Sequence, residues 1–290
     1  MQRHTSARCR LRLLLLVLLI SGPAVAGGQT ESDSGSAPVA SILLYHRFVP
    51  SAAERPPPDA ERLARRMTTS IEAVTLQVKY LRETGHTIVP LRQIVEALST
   101  PGTPGRPGTS LPPKAVAITV DDGHRSIHSD LLPLVERERI PVSLFIYPSA
   151  ISNADWALTW EQLARLRDSG LFEIHSHTYW HPDFRQEKEH LTPAAYQDFV
   201  HTQLVKSRQE IRRRLSTPSR PVEADMLAWT FGTHDAELMA AARNAGYVAA
   251  FTTDERAARG GDNLMALPRY LMFEYYGPKR LANLIQDEAH

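Results

Sequence analysis

Two short segments of the chain hold most of the side chains that could do chemistry. Residues 115–123 form an apolar run that ends in two adjacent carboxylates, Asp121 and Asp122, and a glycine. Residues 172–181 run from a second apolar stretch into a group of histidines, among them His177 and His181, four positions apart. Two imidazoles and one carboxylate make a three-ligand set for a divalent metal that leaves room for water. The second carboxylate offers a base for that water.

This set of ligands indicates which metals to expect. Two histidines and an aspartate suit Zn²⁺, which is our first expectation, and also Co²⁺, Ni²⁺ or Fe²⁺. With an acetamide substrate, the metal would polarise the carbonyl group and hold the attacking water, and the second carboxylate would take the proton of that water. The leaving amine would need a separate proton donor. A histidine suits this role because its pKa lies near neutrality.

The elements that must position these groups alternate along the chain. Apolar runs predict strands at 41–45, 86–89, 115–120, 142–146, 172–174, 226–229, 247–252 and 266–267. Helical patterns lie between them, the longest at 193–215. Such alternation predicts an α/β fold with a parallel sheet and right-handed crossovers, and specifically a single barrel-like (β/α) domain with about seven strands. An open doubly wound sheet is the alternative, although no glycine-rich phosphate turn supports it.

The candidate polar residues share one position relative to these strands. Each follows the carboxyl end of a predicted strand: His46, Asp121, Asp122, His177 and Arg269. In α/β barrels that end of the strands carries the active site. We therefore expect these side chains to meet at one face of the barrel. Trp229 follows a strand in the same way, and it either lines a sugar site or packs inside the barrel.

The two segments resemble a known family of enzymes. Thr-Val-Asp-Asp-Gly at 119–123 resembles the T-F-D-D-G motif of the polysaccharide deacetylases, carbohydrate esterase family 4. His-Thr-Tyr-Trp-His at 177–181 resembles the H-[ST]-x-x-H motif of that family. The resemblance implies that Asp122, His177 and His181 bind the metal and that Asp121 is the base. It also implies hydrolysis of N-acetyl groups on a polysaccharide by a metal-held water.

A third segment is similar to one branch of this family. Leu-Leu-Tyr-His-Arg at 43–47 resembles the circularly permuted branch that acts on poly-β-1,6-N-acetylglucosamine and has its acid histidine in the first strand. The resemblance implies that His46 is the acid. Leu-Pro-Arg at 267–269 is also similar to that branch. Arg269 could hold Asp121 ionised and oriented, or it could form a salt bridge at the barrel end. Trp-Thr-Phe-Gly at 229–232 departs from the more usual W-P-Y-G.

The N-terminal residues predict that the protein is exported. Arginines precede an apolar run at 13–20, and Ala-Val-Ala at 24–26 forms a small-x-small site. This pattern predicts a signal peptide at 1–26, a polar flexible leader at 27–38 and the deacetylase-like catalytic domain at 39–290. The apolar run is short for a bilayer, so we expect no stable transmembrane anchor. The expected location is the periplasm, the cell surface or the medium, with exopolysaccharide secretion machinery as a possible partner.

Composition narrows the class of ligand. The single cysteine, Cys9, lies in the predicted signal peptide, so the mature chain has no disulfide framework. Removing the four arginines of residues 1–26 leaves 29 basic against 32 acidic residues, a formal charge of −3. This balance provides no polybasic surface for nucleic acid. We therefore expect a neutral partner, and the resemblance implies that this partner is an acetylated polysaccharide.

Three functions remain open from the sequence. The leading one is deacetylation of an N-acetylglucosamine polymer, with peptidoglycan, chitin or xylan as other acetylated substrates. The second is a glycoside hydrolase, but adjacent aspartates seldom give the carboxylate separation of about 5–9.5 Å that such enzymes need. That hypothesis also leaves the histidines unexplained. The third is a non-catalytic carbohydrate-binding protein with a decayed site, for which the departure at 229–232 is the support.

Overall fold

The computed structural model describes residues 39–57, 62–99 and 110–285 of the 290-residue chain. The predicted signal peptide at 1–26 and the leader at 27–38 lie outside these residues, so both stay predictions. Within the described ranges, no helix has the length and apolar character needed to cross a membrane.

The described residues alternate between strands and helices, as the sequence predicts. The strands are β1 (Val39–Tyr45), β2 (Arg47–Val49), β3 (Thr68–Ser70), β4 (Thr87–Ile88), β5 (Ala115–Val120), β6 (Val142–Ile146), β7 (Phe172–Ser176), β8 (Met226–Ala228), β9 (Ala249–Phe251), β10 (Ala258–Arg259) and β11 (Tyr270–Leu271). The α-helices are α1 (Arg62–Arg66), α2 (Ile71–Glu83), α3 (Leu91–Ser99), α4 (Leu132–Glu138), α5 (Trp160–Asp168), α6 (Phe184–His190), α7 (Pro193–His201), α8 (Ser207–Leu215), α9 (Ala236–Asn244) and α10 (Pro278–Ile285). Two π-helical segments, Ile127–Leu131 and Thr202–Lys206, lead into α4 and join α7 to α8.

The main sheet is built from parallel neighbours. Its strand order is β10-β1-β5-β6-β7-β8-β9, and β4 and β11 pair with β5 and β1. All of these pairs are parallel except β1 with β10. The segment 267–271 contacts β9 at one edge of this series and β1, next to the other edge, because Leu267 bridges to Phe251 of β9 and Tyr270 pairs with Leu43 of β1. This segment contains Arg269.

The two faces of the sheet pack against different groups of residues. One set of alternating strand residues packs against α2, α4, α5, α8 and α10, as Ile118 and Ile174 do. The other set packs on the inner face, where Ala117 and Phe145 meet the apolar side of α3. Successive side chains along a strand point to opposite faces. Asp121 follows Ala117 at even spacing, so the pleat of β5 directs this carboxylate towards the inner face.

Local sequence signals explain several helix boundaries. The Thr159 hydroxyl accepts a hydrogen bond from the Gln162 backbone, and the Gln162 side chain accepts one from the Thr159 backbone, which forms a capping box at the start of α5. Thr192 caps α7 ahead of Pro193. The long predicted helix at 193–215 is instead divided by the π-helical segment Thr202–Lys206. Hydrophobic periodicity does not reveal one widened turn.

The predicted strand at 266–267 is wrong. Leu264–Ala266 forms a 3₁₀ turn, and Leu267 makes one isolated bridge to Phe251. Pro268 follows directly and has no backbone N–H, so the ladder cannot continue through it. Backbone pairing resumes at Tyr270, two residues after Pro268, where β11 pairs with β1 instead of β9.

Candidate active site

The three predicted metal ligands come together beyond the carboxyl ends of β5 and β7. One ligand atom from each of Asp122, His177 and His181 lies within 4.8 Å of the other two. The Oδ1 atom of Asp122 is 3.6 Å from Nε2 of His177 and 3.8 Å from Nε2 of His181. The two imidazole rings meet edge to face, with centroids 4.8 Å apart. Three residues separated by up to 59 positions thus converge on one small volume.

The chemistry of these donors fits a divalent metal. The Nδ1 atom of His177 donates a hydrogen bond of 2.8 Å to the carbonyl oxygen of Ala228, which leaves the Nε2 lone pair facing Asp122. Burial lowers the pKa of His177 to about 4, against the opposing charge of Asp121, so the neutral imidazole that a ligand must present is favoured. The N···O separations are too long for hydrogen bonds. They suit two atoms that each bind one ion at about 2.0–2.2 Å.

The backbone at both motifs is bent in an unusual way. Asp122 and Gly123 have φ values of 74° and 76°, in the left-handed region that disfavours most side chains. A Cβ added to Gly123 would also lie 3.0 Å from Cγ2 of Ile146, so this position requires glycine for two reasons. The turn that Asp122 and Gly123 form redirects the chain at the strand end. It allows the carboxylates of Asp121 and Asp122 to face the same side.

A buried ion pair holds the second carboxylate. Two nitrogens of the Arg269 guanidinium donate hydrogen bonds of 2.8 and 2.7 Å to Oδ1 and Oδ2 of Asp121. Arg269 is 0% and Asp121 2% exposed. Burial raises the pKa of Asp121, but the charge and hydrogen bonds of Arg269 and the charge of His177 outweigh it, so the pKa lies below its usual value. Of the two alternatives for Arg269, the structure shows the bidentate contact with Asp121.

His46 lies directly after β1, beside the same carboxylates. Its side chain is half buried. Burial lowers the pKa of His46, while the negative charges of Asp122 and Asp121 act in the opposite direction. The influence of both carboxylates shows that His46 shares their electrostatic environment. All six residues that the sequence singles out therefore lie at the same end of the sheet.

Two aromatic side chains at the site were not predicted. The ring of Tyr147, the first residue after β6, has its centroid 5.3 Å from that of His181. The ring of Phe231 lies 4.7 Å from His181 at 78°, and Phe231 is 61% exposed with a left-handed φ of 56°. Tyr147 follows a strand end, so the rule that selects the other site residues also selects it. The backbone conformation of Phe231 had no signal in the sequence.

Trp229, the remaining candidate from the sequence, and the neighbouring His175 lie away from the three candidate ligands. Trp229 is 1% exposed, and its indole N–H donates to the carbonyl oxygen of Met265 at 2.9 Å, so it packs inside the fold rather than lining a sugar site. His175 is buried on the same face of β7 as His177, two residues earlier in the chain. Its ring nitrogens lie 3.7 Å from Glu173 and 3.9 Å from Asp225, near the opposite ends of the strands. Neither residue belongs to the ligand group.

Comparison with curated proteins finds relatives of one kind. The chain is 24% identical over 253 residues to the poly-β-1,6-N-acetyl-D-glucosamine N-deacetylase of Escherichia coli strain K12, an alignment that covers 76% of this chain and 36% of that protein. The protein of the same description from Escherichia coli O157:H7 matches to the same extent. The chain thus spans about a third of the length of the curated relatives it matches.

Solved structures share the fold over most of the described chain. The deacetylase PplD of Streptococcus pyogenes, in complex with acetate, has a TM-score of 0.70 at 19% identity and covers 86% of this chain and 99% of that one. IcaB from Ammonifex degensii has a TM-score of 0.67 at 22% identity and covers 87% and 98%. At such identities the likeness concerns the fold. It confirms the predicted α/β barrel-like architecture.

A family comparison connects the fold with the two motifs. Residues 108–250 match the family model described as polysaccharide deacetylase. That span contains the Asp-Asp-Gly turn after β5 and the complete His177–His181 turn after β7. The chain therefore contains a polysaccharide deacetylase domain, of carbohydrate esterase family 4, a family of hydrolases.

Proposed function

We propose that this protein is a secreted, metal-dependent deacetylase that hydrolyses N-acetyl groups of an N-acetylglucosamine polysaccharide, with poly-β-1,6-N-acetylglucosamine as the first candidate. The observation that carries the proposal is the convergence of Asp122, His177 and His181 within 4.8 Å, beside a carboxylate held by a buried arginine. The curated relatives named for deacetylation of this polymer support the choice of substrate.

The proposed metal site has three protein ligands. Asp122, His177 and His181 would hold the ion, with Zn²⁺ as the first expectation and Co²⁺, Ni²⁺ or Fe²⁺ as alternatives. When bound, such an ion supplies Lewis acidity, which polarises a carbonyl group and brings the pKa of water to about 7. The hydrogen bond from His177 to the Ala228 carbonyl would keep that imidazole in the tautomer that ligation needs.

Asp121 is the proposed general base. Its lowered pKa keeps the carboxylate ionised at neutral pH, and the two hydrogen bonds from Arg269 prevent it from rotating. Its Oδ2 atom lies 3.9 Å from Nε2 of His177, so a water near the ligands is within its reach. Each carboxylate oxygen keeps a second lone pair for the proton of that water.

His46 is the proposed general acid. After water attacks the acetamide carbon, the amine nitrogen must gain a proton as the C–N bond breaks. Burial lowers the pKa of His46, which makes its protonated form a stronger acid than a free imidazolium. The charges of Asp122 and Asp121 favour that protonated form. His46 would therefore deliver its proton to the leaving nitrogen beside the two carboxylates.

Aromatic side chains beside the ligands suit an acetylated sugar. Tyr147 and Phe231 contact the His181 ring at different sites, and Phe231 and Trp180 present large exposed faces. Apolar aromatic surface next to a polar reaction centre matches a ligand that has an acetyl methyl group and an apolar ring face. We assign the acetyl group to the neighbourhood of His181 on this basis.

Acetate release from a panel of polymers tests the proposal. The purified protein is incubated with poly-β-1,6-N-acetylglucosamine, chitin, peptidoglycan and acetylated xylan, with and without a chelator and with each metal added back. We expect acetate release to be highest from the first polymer, to stop with the chelator and to return with Zn²⁺. New reducing ends without acetate would indicate a glycoside hydrolase. Tight polymer binding without acetate at any metal loading would indicate a non-catalytic binding protein.

Export is part of the proposal and has its own test. The predicted cleavage after Ala26 should leave Gly27 as the first residue of the exported protein. N-terminal sequencing of protein recovered from the periplasm or the medium measures this directly. Recovery of the chain with its first 26 residues intact would contradict the predicted signal peptide. Association with exopolysaccharide secretion machinery remains a proposal that co-purification from the source cells would test.

A further inference from the structure

We infer that Gln203, in the π-helical segment Thr202–Lys206, is a positioning residue for the His177–His181 turn and thereby sets the affinity of the metal site. This inference rests on the proposed function, because it concerns the same three ligands. Gln203 lies outside both sequence motifs, and its amide oxygen binds backbone groups rather than ligand side chains. Its role follows from the backbone groups that it binds.

The turn between the two histidine ligands lacks regular secondary structure. Thr178 and His181 have left-handed φ values of 64° and 66°, so the backbone cannot continue either β7 or a helix. At its first residue the N–H of His177 donates to the carbonyl oxygen of Ile146 at 2.7 Å. At its last residue the N–H of His181 donates to the Thr178 hydroxyl at 3.2 Å. The middle of the turn needs other acceptors.

Gln203 supplies the acceptor for the middle of the turn. Its Oε1 atom accepts hydrogen bonds from the backbone N–H groups of Tyr179, at 3.2 Å, and Trp180, at 3.1 Å. Two donors on one atom identify that atom as the amide oxygen and so fix the orientation of the side chain. Gln203 is 0% exposed, and within the described part of the chain its Nε2 atom has no hydrogen-bond partner. A buried amide donor without a partner costs free energy of folding, so its presence calls for an explanation. The two hydrogen bonds that the amide oxygen accepts provide one.

The π-helical segment directs further side chains to the same turn. The Nζ atom of Lys206 lies 4.0 Å from the centroid of the Tyr179 ring. The hydroxyl of Ser207, the next residue, shares a hydrogen bond of 2.7 Å with that of Ser176, which in turn accepts from the backbone at 178. Single π-helical turns inside α-helices are uncommon and frequent at functional sites. Here the widened turn brings Gln203 and Ser207 to the strand end that carries the ligands.

This arrangement predicts an effect on metal affinity that exceeds its effect on folding. His177 and His181 are the two ends of the turn, and the N–H groups bound by Gln203 lie between them. Without that acceptor the turn can relax, and Nε2 of His181 loses its fixed distance of 3.8 Å from Asp122. Metal sites need their ligands held within about 0.5 Å of the binding geometry. Residues that orient ligands typically contribute 10–100-fold to metal affinity.

The experiment compares Gln203→Leu with a matched control. Gln77→Leu removes another buried glutamine, which accepts from the Tyr45 hydroxyl and donates to the carbonyl oxygen of Tyr276 but does not contact the turn. Zn²⁺ affinity is measured by competition with a chromophoric chelator, and thermal unfolding is measured without metal. We expect the affinity of Gln203→Leu to fall about 10–100-fold. Gln77→Leu should lower the unfolding temperature and leave the affinity unchanged.

Two further variants cover the other outcomes. Gln203→Glu keeps an acceptor oxygen at the same reach and should retain wild-type affinity, whereas Gln203→Asn is too short to reach the turn and should weaken binding. If Gln203→Leu does not fold, Gln203→Asn decides. Wild-type metal affinity in Gln203→Asn or in Gln203→Leu overturns the inference. A loss of metal affinity in Gln77→Leu as large as that in Gln203→Leu also overturns it. Failure of the wild-type protein to bind any of the four metals instead overturns the proposed function.

Discussion

Replacing Asp121 with asparagine tests the proposed base most directly. The change keeps the size of the side chain and removes its negative charge, so the variant loses the proton acceptor without opening a cavity. Asp121 is not one of the three clustered ligands, and its Oδ2 atom lies 3.9 Å from Nε2 of His177. We therefore expect metal binding to persist in Asp121→Asn. Loss of a general base lowers kcat by about 10²–10⁴-fold.

The same change should also destabilise the fold. Arg269 is fully buried and donates to both oxygens of Asp121 at 2.8 and 2.7 Å. Asparagine keeps one of these acceptors, replaces the other with an N–H₂ group that faces a donor, and leaves the guanidinium charge without its counter-ion. Breaking a buried pair in this way costs about 3–5 kcal/mol. Activity must therefore be measured below the unfolding temperature of the variant and related to its folded fraction.

A second, partly buried ion pair provides the control. Asp225, which precedes β8 at the opposite end of the strands, accepts hydrogen bonds of 2.7 and 3.2 Å from Arg92 of α3. Asp225→Asn should lose stability and keep the acetate release of its folded fraction. The assay follows acetate release and metal content in both variants. If Asp121→Asn with normal metal content loses less than about tenfold in kcat, short of the 10²–10⁴-fold of a lost base, the assignment of Asp121 is refuted.

Three further predictions concern the acid, the turn and pH. His46→Gln should lower kcat by about 10²–10⁴-fold with metal affinity unchanged in a titration; an unchanged kcat would exclude His46 as the acid. Gly123→Ala should cost about 1–3 kcal/mol in urea unfolding, because its φ is 76° and its Cβ would lie 3.0 Å from Ile146; an unchanged midpoint contradicts this. Because folding lowers the pKa of Asp121, the difference in unfolding free energy between wild type and Asp121→Asn should be complete above about pH 3.9 and should vanish as the pH falls through the lower folded pKa. Unfolding curves from pH 7 to strongly acidic pH measure this difference. A difference that stays constant with pH would refute the ion pair.

The sequence predicts the convergence of the three candidate ligands, Asp122, His177 and His181, because their placement is local. Asp121, Asp122 and His177 each follow a buried strand by one or two residues, and parallel strands bring their carboxyl ends to one edge. His181 lies in the same short turn as His177. The side-chain period of two along a strand then decides which residues face inward. None of these steps needs knowledge of distant contacts.

Features that depend on distant contacts could not be derived in this way. Arg269 and Asp121 are separated by 148 positions, so the sequence left two alternatives, and the packing of segment 267–271 decides between them. The π-helical turn at Thr202–Lys206 has the same amphipathic pattern as an ordinary helix. Phe231 departs from the motif of the family, but the sequence does not show that its ring lies on His181.

The position of Arg269 connects the proposed chemistry with the closure of the sheet. Segment 267–271 touches both β9 and β1, and Arg269 lies between these two contacts. Its Nε donates to the carbonyl oxygen of Thr252, just after β9, while its other nitrogens hold Asp121 at the end of β5. One buried side chain thus fixes Asp121, the proposed base, relative to strands on either side of the site. A shift of segment 267–271 would displace Asp121 from the candidate ligands. The position of the proposed base therefore depends on this irregular segment as much as on the Asp-Asp-Gly motif that contains Asp121.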